Sequence, residues 1–193
     1  MVRAILDGRK TQTRRVVKLP EGFKRRLSGS GAADILATVE WYAQPGDRLW
    51  VRETCIRHAL PNFLTGEPTN AICAAYAADG EPVLNQHGFD YVCWWKRGEK
   101  CPSIHMPRWA SRLTLEVVNV RVERLQEISG DDALAEGVDR AQISEMTYIT
   151  MPHFMRERYK KLWDSINAKR GYGWDKNPYV WVIEFKPSPA TVR

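Results

Sequence analysis

The sequence predicts an α+β protein built on a small β-barrel with flanking helices and one insertion. Most apolar patterns along the chain are those of strands, and no alternation of strand and helix of the βαβ kind accompanies them. The segment 113–125 gives the clearest strand pattern. Its apolar residues alternate up to Val117 and then continue from Val118 on the opposite parity, as a bulge or sharp bend in a barrel strand produces.

The N-terminal residues predict a short helix, followed by a segment whose apolar residues alternate irregularly. Residues 1–7 have the apolar spacing of a helix, and Gly8 suits the left-handed conformation that ends one. Residues 9–17 are rich in basic and hydroxyl side chains. If this segment is extended, alternation places Thr13 on one side and Lys10 on the other, and only a turn or twist brings the two together.

The middle of the chain predicts a turn, a strand and an interruption. Residues 45–47, Pro-Gly-Asp, form a strong turn signal, and residues 48–53 follow as a strand with Leu49 and Val51 toward the core. Residues 56–108 contain short apolar runs separated by Pro, Gly and Asn. We interpret them as an insertion with about two short strands, within one domain that spans residues 1–186.

Two helices and a last strand are predicted after residue 125. Ser129 suits an N-cap and Gly137 a helix end, so the residues between them form a short helix. A longer helix spans 152–168, a strand spans 179–185, and residues 187–193 are expected to form a loose tail. The predicted buried stripe of the longer helix is Phe154, Met155, Tyr159, Leu162, Trp163 and Ile166.

Composition and charge narrow the class of protein. The 193 residues suffice for a core without disulfides, and no long apolar run or signal-peptide pattern is present, so we expect a cytoplasmic protein without a membrane partner. The net charge is +6, yet residues 1–27 carry +7 and the remainder −1. This local excess indicates either a surface that meets nucleic acid or another polyanion, or a solvated basic face.

The four cysteines favour structural thiols over a metal site. Their spacings match no usual zinc-binding module, although five cysteine and histidine residues can be grouped as candidate zinc ligands. We therefore predict reduced cysteines, no metal and no cofactor. The set consists of Cys55, His58, Cys93, Cys101 and His105.

Residues 8–15, Gly-Arg-Lys-Thr-Gln-Thr-Arg-Arg, place a lysine, two threonines and three arginines together. A threonine hydroxyl is a nucleophile only when a base removes its proton, and a buried lysine beside other cations has a pKa low enough to act as that base. A carboxylate is then needed to orient the lysine or to move protons. In the alternative interpretation, the cations hold phosphates and the threonines pair in a strand.

These eight residues resemble the G-x-K-T-x-[ET]-x-R signature of ASCH domains, a branch of the PUA-like β-barrel superfamily. Three further segments resemble the family's motifs in order: residues 45–51 its G-D-x-[LI]-x-V strand, residues 113–123 its central barrel strand and residues 180–185 its closing strand. The resemblance covers both ends and the middle of the chain and leaves 56–108 largely uncovered. It implies a PUA-like barrel as the fold.

The resemblance also implies a function. ASCH domains are similar to RNA-binding PUA folds, and one branch hydrolyses the amide of N4-acetylcytidine with a threonine, a lysine and a glutamate. Its G-R-K-T-x-T-x-R segment matches this chain, which implies Lys10 as the base and Thr13 as the nucleophile. The glutamate of that branch lies on a short helix after the central strand, which implies Glu136, with Asp131 and Asp132 close by. The implied partner is RNA or a modified nucleoside.

Other functions remain open at this point. Residues 103–112 resemble a subgroup common in bacteriophage and prophage genomes, and Trp109 lies among arginines, as an aromatic that stacks a base does. A non-catalytic RNA- or DNA-binding module is therefore the alternative, and a nuclease the third possibility. Arg15 would serve the oxyanion or a phosphate. The candidate substrate-binding or nucleic-acid-binding residues are Arg14, Arg15, Arg52, Arg108, Trp109 and Arg112.

Overall fold

The computed structural model describes residues 1–18, 39, 43–62, 65, 67–85, 92–96, 98–139 and 151–188. It confirms the α+β class: antiparallel strands form a curled sheet accompanied by a few helices. The chain divides into two compact units. The first comprises Met1 with residues 3–47 and 116–186, and the second comprises Val2 with residues 48–115 and 187–193.

The elements follow the predicted order closely. The helices are α1 (Val2–Leu6), α2 (Gly130–Ala135) and α3 (Met151–Asn167), with 3-10 turns at Ser103–His105, Arg108–Ala110, Leu125–Glu127, Ala168–Arg170 and Trp174–Lys176. The described strands are β1 (Gln12–Val16), β2 (Arg48–Trp50), β3 (Cys55–Pro61), β4 (Pro68–Tyr76), β5 (Lys100–Cys101), β6 (Thr114–Arg124) and β7 (Tyr179–Pro187).

The larger sheet has the strand order β1-β7-β6-β2, so β1 lies at its edge. β1 pairs antiparallel with β7, and Thr13 lies opposite Ile183. β6 changes parity as predicted, since Val117 and Val122 are both buried, but the change comes later than expected, because Val118, predicted to share the face of Val122, is 48% exposed. β2 ends at Trp50, three residues before the predicted end of this strand, and the next strand begins at Cys55.

The core of the first unit forms where α3 packs. Met155, Tyr159 and Trp163 of α3 join residues of α2 and β7 in one buried cluster, and α2 packs against α3. Gly130 permits this approach, since a Cβ there would lie 2.5 Å from the Cα of Pro152. Leu162 and Ile166, predicted as core, are 39% and 40% exposed, because the buried stripe of α3 is narrower than its apolar pattern.

The second unit contains a three-stranded sheet in the order β4-β3-β5. The residues predicted as an insertion, 56–108, fall within this unit and supply three strands where two were expected. Two short apolar runs in this segment, 71–76 and 91–95, were the expected strands. Residues 71–76 are part of β4, whereas residues 92–95 form no strand. The buried cluster of the unit is Cys55, Ala74, Tyr76, Val83, Cys101, Met106 and Ala110.

The four cysteines are free thiols. Burial raises the pKa of the Cys55 thiol to about 12. In the part of the chain that the structure describes, no helix has both the length and the hydropathy needed to cross a bilayer. Of the predicted tail, Pro187 ends β7, Ser188 is buried, and residues 189–193 lie outside the described residues.

Candidate active site

The segment between α1 and β1 is fixed by main-chain hydrogen bonds on both sides. Gly8 adopts φ 69°, as its predicted role requires. The Lys10 N–H donates to the carbonyl of Ala4 at 2.8 Å, and the Thr11 N–H donates to the carbonyl of Ala135 at 2.8 Å. Lys10 also forms an isolated antiparallel bridge with Glu136. This short connection therefore brings the motif lysine against the C-terminal end of α2.

The Lys10 side chain is buried, with 4% of the residue exposed. Its Nζ donates three hydrogen bonds of 2.8 Å each, to Oε2 of Glu136, to the carbonyl of Glu136 and to the carbonyl of Gln12. An ammonium group has three N–H donors, so this set uses all of them. The Gln12 carbonyl belongs to the peptide that joins Gln12 to Thr13, and the amino group of Lys10 therefore lies beside the Thr13 main chain.

Glu136 is positioned by the end of α2. Ser129 caps the helix by accepting a hydrogen bond from the Asp132 N–H at 3.0 Å, as the sequence predicted. Glu136 is the C-cap, and Gly137 follows with φ 84°. Glu136 is 7% exposed and holds two cations, since its Oε1 accepts from Nη1 of Arg14 at 3.2 Å while Oε2 accepts from Lys10.

Arg14 is enclosed by carboxylates. Its side chain is fully buried and pairs with Glu136, with Asp132 at 3.2 Å and with Glu123. Its guanidinium also lies 5.9 Å from the centre of the Tyr159 ring. Arg121 extends the network. It pairs with Glu123 at 3.2 Å, with Asp132 at 3.0 Å and with Glu184.

Burial and charge shift the proton affinities of these groups. Burial lowers the pKa of Lys10, and the charges of Arg15 and Arg14 lower it further, against the opposing effect of the Glu136 carboxylate. Burial also raises the pKa of Tyr159, which the Glu136 charge reinforces. Burial acts to raise the pKa of Asp132, but hydrogen bonding to Gln12 and the Arg14 charge outweigh it, so that pKa is lowered.

A cavity of about 720 Å³ opens beside these groups. This volume is within the range of roughly 300–1,000 Å³ that small-molecule sites occupy. One part of its lining is polar and includes the residues of the motif; the other part is largely apolar and comes mainly from α3. The lining includes Lys10, Thr13, Arg14, Arg15, Glu136, Tyr159, Leu162, Trp163, Ile166 and Trp181.

Comparisons of the chain with protein-family profiles, with curated proteins and with solved structures find no match.

The structure brings Lys10, Thr13 and Glu136 to one cavity, together with Arg14 and Arg15. Thr13 is half-buried on the edge strand β1. Glu136 contacts Lys10 directly, whereas Asp132 pairs with Arg14 and Arg121 and Asp131 is exposed. Arg14, predicted as a ligand-binding cation, is committed to three carboxylates of the protein. Arg15 is exposed.

The four remaining candidates belong to the second unit. Nε of Arg112 donates to Glu53 at 3.0 Å, its Nη1 pairs with Asp79 at 2.7 Å, and its guanidinium lies 3.9 Å from the centre of the Tyr76 ring. These contacts occupy Arg112 within the protein.

The other three candidates of the second unit are exposed. The guanidinium of Arg52 lies 4.7 Å from the centre of the Trp50 ring. Arg108 and Trp109 belong to a 3-10 turn, and Trp109 is 41% exposed with its ring edge-on to Trp94 at 5.6 Å.

Sequence reasoning missed the partners of the motif cations. Glu123 and Arg121 lie two residues apart on β6, and this carboxylate-guanidinium spacing on one face of a strand was the available signal. Leu162 and Ile166 were assigned to the core, but their spacing of four residues on α3 equally suits the wall of a cavity. Among the described residues, no group of three or more His, Cys, Asp or Glu side chains is arranged to hold a metal ion.

Proposed function

We propose that this protein is an ASCH-type, PUA-like amidohydrolase that removes the acyl group from an N4-acylated cytidine. One observation carries the proposal: the buried Lys10 amino group is bonded to the Glu136 carboxylate and to the peptide before Thr13, on a cavity that all three residues line. The match of residues 8–15 to the signature of the family's amidohydrolase branch supports the same reaction.

The first step requires Lys10 without its proton. Burial and the flanking arginines lower the pKa of Lys10, which raises the neutral fraction near neutral pH. The 2.8 Å hydrogen bond to Oε2 of Glu136 offers a route for the lysine proton. Neutral Lys10 then accepts the proton of the Thr13 hydroxyl while Oγ1 attacks the acyl carbon.

The second half of the reaction returns the protons. As the C–N bond of the amide breaks, the leaving N4 amine takes a proton from the Lys10–Glu136 pair. The acyl group is left as an ester on Thr13, and a water molecule deprotonated by the same lysine hydrolyses that ester. The products are cytidine and the free carboxylic acid, and Thr13, Lys10 and Glu136 end in their initial protonation states.

The other lining residues have distinct roles in this scheme. Arg14 orients the Glu136 side chain, because its Nη1 donates to Oε1 and leaves Oε2 to Lys10. Arg15 is two residues from Thr13 on β1, so alternation directs both to one face and makes Arg15 the cation available to the oxyanion or to a phosphate. Trp163 and Trp181 also line the cavity, but each is only 3% exposed, so they contribute little surface to a ligand.

Incubation with N4-acetylcytidine, followed by chromatography of cytidine release, tests the proposal. We expect turnover in the wild type and loss of at least about a hundredfold in Thr13→Ala and Lys10→Gln, the range that removal of a catalytic proton-transfer group produces. Thr11→Ala is the matched control, since Thr11 is exposed and does not line the cavity. Absence of turnover, or turnover equal in all variants, would contradict the assignment.

A second candidate function is supported by Trp109, which is 41% exposed in the second unit beside the exposed Arg108. An exposed tryptophan next to an arginine suits stacking of a base with contact to a phosphate. A non-catalytic module that binds RNA in this way should lose affinity steeply with salt, because binding releases counterions. Trp109→Ala and Arg108→Gln should each weaken binding of a labelled oligonucleotide in a filter assay, and salt-insensitive or unchanged binding argues against this function.

A further inference from the structure

Three cations on the cavity wall are not used by the buried ion-pair network. Arg15 follows Thr13 by two residues on β1, Lys18 lies two residues beyond the end of that strand, and Arg170 ends the 3-10 turn after α3. All three line the cavity and are exposed. Two separate elements therefore present positive charge to the same cavity.

The described part of the lining offers these three cations no further carboxylate. Among the described lining residues Glu136 is the one carboxylate, and it is already bonded to Lys10 and Arg14. The contacts described for residues 1–18 and 151–188 include no carboxylate partner for Arg15, Lys18 or Arg170. Arg15 lines the cavity, and its charge is close enough to contribute to the lowered pKa of Lys10.

We propose that the natural ligand is a phosphorylated nucleoside, a mononucleotide whose phosphate is bound by Arg15, Lys18 and Arg170. The identity of the base as an N4-acylated cytosine rests on the proposed function, whereas the anionic subsite rests on the cavity alone. A phosphate carries about −1.5 to −2 charges near neutral pH and accepts several charge-assisted hydrogen bonds, which suits a set of two arginines and a lysine.

A 5′-nucleotide is long enough to place its phosphate at the three cations and its base near Thr13. Its phosphate and the N4 position of its base are at opposite ends of the molecule. Thr13 and Arg15 are two residues apart on a strand, which separates their Cα atoms by roughly 7 Å and allows one ligand to span both. The volume of about 720 Å³ suits a molecule of this size, and the lining also includes the apolar side chains of Leu162 and Ile166.

Calorimetric titration with CMP, cytidine and inorganic phosphate tests the anionic subsite without any chemistry. We expect CMP to bind at least about tenfold more tightly than cytidine and than phosphate alone, since one charge-assisted contact accounts for about a factor of ten. Arg170→Gln and Lys18→Gln should each remove most of that preference. Lys169→Gln is the matched control, because Lys169 is an exposed cation next to Arg170 that does not line the cavity.

Several results would overturn the proposal. Equal binding of CMP and cytidine, no binding of either at millimolar concentration, or an equal loss in Lys169→Gln each exclude a phosphate subsite at Arg170 and Lys18. Tighter binding of a trinucleotide with a central cytidine than of CMP excludes a mononucleotide as the ligand and indicates an RNA chain.

A second measurement separates this proposal from the proposed function. N4-acetylcytidine and its 5′-monophosphate are compared as substrates, and kcat/KM should be at least about tenfold higher for the monophosphate. Hydrolysis of both at equal rates refutes the phosphate subsite and leaves the amidohydrolase standing. Binding of CMP that depends on Arg170, without hydrolysis of either compound, refutes the amidohydrolase and leaves the subsite standing.

Discussion

The surroundings of Lys10 have opposing effects on its protonation state. Its ammonium form satisfies three acceptors at 2.8 Å, while burial and two arginines favour the neutral form. The lowered pKa makes Lys10 a base at a pH where an exposed lysine remains protonated. The pH dependence of the rate is therefore the most direct report on this residue.

We predict that kcat/KM for N4-acetylcytidine rises with pH and levels off below the usual lysine pKa of about 10.4. The sign follows from the mechanism, because only neutral Lys10 accepts the Thr13 proton and its lowered pKa moves that transition to lower pH. Lys10→Arg should be inactive throughout, since a guanidinium stays protonated. Steady-state rates across the pH range check this, and a flat profile in the wild type argues against Lys10 as the base.

Arg14 is expected to be essential for folding stability. Its replacement by Met leaves Glu123, Asp132 and Glu136 without their shared cation, and breaking a buried ion pair in this way costs about 3–5 kcal/mol. Urea unfolding measures the loss. Arg15→Gln, at an exposed position on the same strand, should change the free energy of unfolding by less than about 0.5 kcal/mol. Similar values for the two variants would mean that the buried network does not stabilise the fold.

At the scale of elements, α2 serves to place one carboxylate. Its N-cap, Ser129, and its terminating glycine, Gly137, fix where the helix begins and ends, and Glu136 occupies the last position before the turn. A Cβ at residue 137 would lie 3.0 Å from the Cβ atoms of both Ala4 and Lys10. The end of α2 thus packs directly on the motif lysine.

We predict that Gly137→Ala is more harmful than Gly171→Ala. Both glycines have similar φ, 84° and 82°, so an alanine at either position costs about 1–2 kcal/mol of backbone strain. Only residue 137 also has neighbours within 3.0 Å, whereas residue 171 has no heavy atom within 4 Å. Thermal unfolding and cytidine release measure both variants. Equal losses would show that the contact with Lys10 has no effect on stability or on the site.

Local rules predicted most elements from the sequence but not the site itself. Parity and caps identified β6, α2 and α3, because each is determined by nearby residues, whereas the irregular alternation of residues 9–17 did not identify β1. The proximity of Lys10 to Thr13 was not predicted by alternation, since Lys10 precedes the strand and is held by its bridge to Glu136. Leu162 and Ile166 were misassigned because an apolar cavity wall has the same helical spacing as a core.

At the scale of the whole molecule, the charge excess in residues 1–27 has two parts. Lys10 and Arg14 are neutralised by buried carboxylates, whereas Arg15 and Lys18 keep their charge at the cavity. Lys24, Arg25 and Arg26 lie outside the described residues. The local +7 therefore overstates the positive charge that residues 1–27 offer to polyanions, because carboxylates from elsewhere in the chain, already counted in the net +6, pair with Lys10 and Arg14.

The second unit has its own buried pair, and we predict that Arg112→Ala destabilises it. The variant leaves the side chain of Glu53, which is 1% exposed, without its guanidinium partner, at a cost of about 3–5 kcal/mol. Urea unfolding should show this loss, whereas Arg108→Ala, at an exposed position, should unfold like the wild type within about 0.5 kcal/mol. A stable Arg112→Ala variant would return Arg112 to the set of cations available to nucleic acid.

The hydrogen bonds of Lys10 to the carbonyls of Gln12 and Glu136 have a consequence for redesign of the site. Two of the three acceptors that orient this amino group are main-chain atoms, which side-chain replacement does not remove. Leu162 and Ile166, on a separate helix, line the same cavity. If the proposed amidohydrolase activity holds, a library restricted to these two positions should alter which acyl groups are accepted while the chemistry is retained.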